Sequence, residues 1–282
     1  MGYDTRLVKD EVKKKAENKA KQVKPWVRNF ARFGYAAKGT VYVLIGILSI
    51  MPAGGFGGRT TGSEGAFAAL SSRPFGEFAL WIMAFGLIGY AVWKLMETFM
   101  HIKGKEHGIK EMIKRASFLV SAVIHLGLAY KAFMIIMNAG SPGSARQTVT
   151  ARLLGEVWGR WIIGIAGAII LAFAFYELYK GYKGKFGKHL KAIEMDEDER
   201  KTMRTVGKAG FIARGVVFAL IGWFVIDSAL EAKAENEQGM DKALSEIAQQ
   251  PFGPYLLAVV AGGLLMYGIF MFFKARYRVI TI

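Results

Sequence analysis

The chain has 282 residues, a formal net charge of +16, 53% apolar side chains with its 34 glycines left out of that count, and no cysteine. A water-soluble domain reaches about 45–50% apolar only when glycine is counted, so the excess points to burial in lipid. The missing thiols exclude disulfides, iron–sulfur clusters, cysteine-ligated metals and thiol nucleophiles.

In chain order, the sequence opens with a basic arm, residues 1–28, in which Lys9, Lys13, Lys14, Lys15, Lys19 and Lys21 mingle with Asp10, Glu11 and Glu17. Its stretch Tyr3–Lys24 reads as a charged helix, broken at Pro25, with Trp26 at headgroup depth. The arm is too long and too charged for a cleaved secretory signal, so the first span is expected to remain as an anchor. Six apolar runs follow at about 31–52, 75–96, 116–137, 157–178, 209–230 and 254–274. Each is near the 20 residues that cross about 30 Å of hydrocarbon at 1.5 Å per residue. Rich in Ala, Leu and Gly and lacking ten-residue alternation, they read as helices and not barrel strands. Short helical patterns at Glu64–Ser71, Thr148–Leu154 and Asp241–Ala248 each lead into the next span and would lie along the interface.

The charges are segregated. Ten Lys or Arg lie before residue 33, six in 94–115, nine in 177–208 and three from Lys274 onward. Because Lys and Arg are retained on the cytoplasmic side, both termini and the two long basic loops are expected to face the cytoplasm, in the cell membrane. The same segregation accounts for the basic balance without nucleic acid, since no loop interleaves aromatic and basic residues as an RNA- or DNA-binding motif would. Anionic lipid headgroups are the expected partners, with other membrane proteins as further candidates.

The sequence repeats internally. Gly34-Tyr35-Ala36-Ala37-Lys38-Gly39 matches Gly210-Phe211-Ile212-Ala213-Arg214-Gly215, and the same offset pairs Tyr42 with Phe218 and Gly46 with Gly222. Pro74-Phe75-Gly76 falls on Pro251-Phe252-Gly253, after which Gly86 meets Gly263 and Tyr90 meets Tyr267. A looser middle copy sets Phe118 on Tyr35, Ser121 on Lys38, His125 on Tyr42, Trp158-Gly159 on Phe75-Gly76 and Phe173 on Tyr90. The fold class is therefore all-α integral membrane, with six transmembrane helices as three helical hairpins in 29–100, 112–184 and 205–278. With two spans per unit, successive units enter from one side, so the repeats are parallel and quasi-threefold. Inverted repeats, common in secondary transporters, need an odd number of spans per unit.

These Gly-aromatic-x-x-Lys/Arg-Gly starts and Pro-Phe-Gly entries resemble the bacterial domain-of-unknown-function family 1206, multi-pass membrane proteins built from repeats of about 70 residues. The resemblance covers roughly residues 30–280. It implies an architecture and no activity, and it carries no functional residue.

Small residues mark the expected helix contacts, because close backbone approach supplies the packing energy in lipid. They are Gly39, Gly46, Gly86, Gly89, Gly164, Gly167, Ala168, Ala209, Ala213, Ala258, Gly262 and Gly263. A charge at a helix centre costs about 2.5–3.5 kcal/mol on insertion scales and needs a partner or an escape route. Lys38 and Arg214 occupy equivalent positions about two turns into their spans. They either snorkel to the basic interface or present cations to a phosphate headgroup, an anionic metabolite, or Glu97 and Glu177 at the ends of neighbouring spans. Lys131, in the outer half of the third span, has Leu48 and Phe224 as its equivalents; Asp227, near the outer end of the fifth span, either pairs with it or reaches water. His125, a lone histidine within a span, completes a candidate intramembrane polar site of His125, Lys131, Asp227, Glu97 and Glu177.

Catalytic signatures are absent: no G-x-x-x-x-G-K-S/T, no H-E-x-x-H and no G-x-S-x-G. His101, His107 and His189 fall in loops, leaving His125 without a second intramembrane histidine for a bis-His haem. No cofactor or metal is expected. The sequence thus points to a non-enzymatic structural, regulatory or lipid-interacting membrane protein, the alternative being a small-solute channel or transporter with a central polar cavity.

Overall fold

The computed structural model describes residues 25–55, 62–100, 109–137, 153–184, 186, 190, 195–232 and 240–278. The helices are α1 (Pro25–Ala53), α2 (Ser63–Ser71), α3 (Gly76–Met100), α4 (Ile109–Ile136), α5 (Val157–Lys183), α6 (Glu197–Glu231), α7 (Met240–Gln249) and α8 (Gly253–Tyr277). Six of them, α1, α3, α4, α5, α6 and α8, are long and apolar enough to cross a membrane among the described residues. The protein is a multi-pass membrane protein. The arm Tyr3–Lys24 and residues 148–152 of the middle interfacial pattern lie outside the described residues.

Helix ends exceed the apolar runs where polar chemistry supports them. α6 starts twelve residues before its run, because the Asp196 side chain accepts the Glu199 amide at 2.8 Å and Glu197, Asp198 and Glu199 occupy the first turn, where carboxylates favour the helix dipole. α5 continues to Lys183 and stops at Gly184, whose φ of 63° closes the helix in the left-handed region.

The entries into α3 and α8 are one turn used twice. Phe75 and Phe252 have φ of 62° and 60°. The following glycine is required because a Cβ at Gly76 would lie 1.9 Å from the Leu70 carbonyl oxygen, and at Gly253 2.0 Å from that of Ala248. Gly159 meets the same constraint, 1.9 Å from the Leu153 carbonyl, so the middle repeat keeps the close approach without the proline.

The six long helices pack in the order α4, α3, α1, α8, α6, α5, each on the next. Repeats 1 (α1 and α3) and 3 (α6 and α8) therefore close as hairpins. Repeat 2 does not: α4 packs on α3, α5 packs on α6, and no packed interface joins α4 to α5. Only 22% and 17% of their apolar stretches are buried, against 44–56% in the other four.

The repeat register gives the reason. In hairpin 1 a Cβ placed on Gly34 would fall 2.6 Å from the Tyr90 backbone, and one on Gly86 2.3 Å from the Ala37 Cβ; hairpin 3 repeats both contacts with Gly210 against Tyr267 (2.5 Å) and Gly263 against Ala213 (2.3 Å). The corresponding middle residues are Ser117, Phe173, Val120 and Ile169. Where the outer hairpins bring Ala against Gly, the middle one has two β-branched side chains, which do not allow the same close approach.

Among the expected small residues, Gly39 and Gly46 press on α8, Gly86 and Gly89 on α1, Gly167 on α6 and Gly263 on α6. Gly262 faces open space and Gly164 makes only an ordinary contact with Ala229, so these two are not close-approach points. At the end opposite the basic loops, α2 packs on α1, α3 and α4 and touches α7, which packs on α6 and α8. The Gly62 amide donates to Asp241 at 2.7 Å, tying repeat 1 to repeat 3. Burial pushes the Asp241 carboxyl above its ordinary range, with the Gly62 amide and Lys131 pulling the other way.

Candidate functional site

At the end of the bundle where α1 begins and α3, α5 and α8 finish, here the basic end, the interior is charged. Lys38 and Arg214, 2% and 4% exposed, turn inward and do not snorkel. The Lys38 ammonium donates to the Tyr90 hydroxyl at 3.2 Å and lies 4.6, 5.6 and 6.0 Å from the ring centres of Tyr90, Tyr267 and Tyr42. Arg214 donates to Glu177 at 2.8 Å and to the Tyr267 hydroxyl at 2.6 Å, and its guanidinium sits 4.8 Å from the rings of Phe218 and Tyr267. Each outer hairpin thus carries the same lock, a cation on its first helix bound to a tyrosine on its second. A desolvated cation over an aromatic face gains about 2 kcal/mol, which offsets part of the burial cost.

A second layer lies nearer the helix ends. Glu97 pairs with Lys94 on its own helix and with Arg278, which also donates to the Tyr35 hydroxyl. Lys180 lies 3.9 Å from Glu177 and 4.4 Å from the Phe211 ring. Lys274 lies over Phe270, Tyr35 and Phe211 at 5.1 to 5.8 Å, with no carboxylate partner among the described residues. Shared rings join the layers: Tyr90 contacts Lys38 and Lys94, and Tyr35 contacts Lys94, Lys274 and Arg278.

The structure brings His125, Glu97 and Glu177 to this end and separates them from Lys131 and Asp227. His125 packs its ring 4.5 Å from Tyr90, and its Nδ1 donates to the Ser121 carbonyl at 2.6 Å, leaving Nε2 without a hydrogen-bond partner among the described residues. Lys131 pairs with Glu64 of α2 at 2.5 Å and not with Asp227. The interfacial helix supplies the nearer carboxylate, while Asp227 sits half-buried on α6, which does not pack against α4. Glu97 serves Lys94 and Arg278 rather than Lys38. Among the described residues, no three His, Asp or Glu side chains converge as metal ligands.

A family model described as "Domain of Unknown Function (DUF1206)" matches residues 33–101, 116–184 and 209–278. The chain belongs to the DUF1206 family. It is 34% identical over 271 residues to "Uncharacterized protein YxxB" of Bacillus subtilis (strain 168), covering 96% of this chain and 98% of the relative. No solved structure matches.

The three DUF1206 repeats also explain which site residues escaped a span-by-span reading. Lys94, Lys180, Lys274 and Arg278 fall where the basic loops begin, so hydropathy assigns them to solvent. In repeat register, Lys94 corresponds to Glu177, and Glu97 to Lys180 and Lys274. That recurrence of charge, within two residues of the end of each apolar run, was the available signal.

Proposed function

We propose that this DUF1206 protein is a non-enzymatic, lipid-interacting protein of the cytoplasmic membrane, with its termini and basic end toward the cytoplasm, that binds phosphate-bearing anions at the buried cationic cluster. One observation carries the reading. Of Lys38, Lys94, Lys180, Arg214, Lys274 and Arg278, four share two carboxylates, Glu97 and Glu177, and Lys38 and Lys274 pair with none among the described residues. Six cations against two anions, largely removed from water, is costly without further negative charge. A phosphate group, on a lipid or free, supplies it through charge-assisted hydrogen bonds. The segregation of Lys and Arg supports the orientation. Small-solute transport draws on the same charges, but Gly39 and Gly268 bring α1 and α8 too close for a lumen between those two helices.

The test is unfolding of the protein in zwitterionic nanodiscs. Inorganic phosphate is added against matched ionic strength in one arm, and phosphatidylglycerol replaces part of the phosphatidylcholine in the other. A rise in Tm is expected in at least one arm, as binding to the folded state requires, and should disappear in Lys38→Gln, Lys274→Gln protein. No rise in either arm overturns the reading. Labelling of single cysteines at 104 or 190 by an impermeant reagent in intact cells would overturn the orientation.

A further inference from the structure

Resting on that reading, we infer that the seam between α4 and α5 is a lateral portal through which an anionic phospholipid seats its headgroup on the cationic cluster while its chains stay between the two helices. Three observations converge. The two outer hairpins are sealed by small-residue contacts, and at the matching positions repeat 2 has Val120 and Ile169 and no packed interface. The outer hairpins are also locked by a cation and a tyrosine hydroxyl, Lys38 with Tyr90 and Arg214 with Tyr267. Repeat 2 has Ser121 and Phe173 there, so the seam lacks both the steric and the polar closure.

The third observation is charge at the two edges. On the α3–α4 side, Lys94 lies 4.5 Å from the ring of Phe118. On the α5–α6 side, Lys180 lies over Phe211, with its side chain 22% exposed. A cation thus stands beside α4 and another on α5, in the layer nearer the helix ends than the locks of repeats 1 and 3. A free phosphate has no use for the apolar walls, and a zwitterionic lipid brings no net charge to the cations. An anionic phospholipid matches both, with its phosphate at the basic end and its acyl chains along α4 and α5.

The absence of native cysteine makes the test direct. Single cysteines at Val120, Ile169 and, as a lipid-facing control on α8, Val259 are labelled with bimane in protein reconstituted into vesicles. Quenching by phosphatidylglycerol brominated on its acyl chains is compared with quenching by equally brominated phosphatidylcholine at the same mole fraction. Positions 120 and 169 should prefer phosphatidylglycerol by about fivefold, the factor that one cation facing an anionic headgroup contributes, and Val259 should show no preference. Lys180→Gln should reduce the preference. Equal quenching by the two lipids at 120 and 169, or the same preference at 259, overturns the portal. Stabilisation by inorganic phosphate without a seam preference overturns the portal and leaves the anion site standing; neither effect removes both.

Discussion

The outer hairpins and the middle repeat share a register and differ in what a bundle needs to stay shut. Repeats 1 and 3 place Ala against Gly across their helices and bind a cation to a tyrosine at the adjacent level. The middle repeat keeps the glycine of its entry turn but has Val120, Ile169, Ser121 and Phe173 at the sealing positions. Its helices attach to neighbouring repeats instead of to each other. The entry turn and the seal are therefore separable properties of one repeat. Packing in lipid rests on a few close approaches, and losing them opens a hairpin without unfolding its helices.

That comparison can be broken most severely at the polar lock of hairpin 3. Arg214→Met leaves Glu177, 3% exposed, without its nearest cation and should cost about 3–5 kcal/mol, read as a lowered Tm in detergent. Glu177→Gln in the same chain should recover much of the loss. Overpacking the seal comes next: Gly86→Leu or Gly263→Leu should cost about 1–3 kcal/mol or more. Gly262→Leu, one residue away but facing open space, should be close to neutral, and equal losses at 262 and 263 would contradict the interface.

The comparison is sharpened by converting the middle repeat into an outer one. Val120→Ala, Ile169→Gly, Ser121→Lys and Phe173→Tyr together should draw α4 toward α5, measured as a shortened distance between spin labels on the two helices; an unchanged distance would show that these four positions do not hold the seam open. The smallest effect is expected at Lys131 and Glu64, a partly exposed pair. A double-mutant cycle should give a coupling of about 0.2–1 kcal/mol, with Lys131 and Asp227 uncoupled.

The six spans were legible because each apolar run exceeds the length that lipid requires, and the repeat was legible in Gly34, Lys38, Tyr90 and their partners near 210–267. The long start of α6 was not, since Asp196 and the carboxylates after it act through backbone capping, which hydropathy ignores. At the site, the recurrence of Lys38 and Arg214 marked the upper layer. The lower layer was hidden because a helix carries Lys94, Lys180 and Lys274 inward on the faces that the last apolar turn has set, so a basic residue after a span is not thereby in solvent. The pairing of Lys131 with Glu64 depends on how α2 folds over α4, which no spacing along the chain encodes.

The packing of α1 against α8 has a consequence for biogenesis. Lys38 enters the membrane with the first helix, yet one of the rings around it, Tyr267, belongs to the last described helix. At about 5–20 residues per second, the ribosome takes roughly 10–50 s to bring the second residue after the first. Before then the ammonium of Lys38 has only Tyr42 and, once α3 is made, Tyr90 among the tyrosines around it, and the face of α1 that carries Gly39 and Gly46 lacks the helix it meets in the folded bundle. A chain cut short before α8 therefore lacks both the Tyr267 ring beside Lys38 and the helix that packs on Gly39 and Gly46.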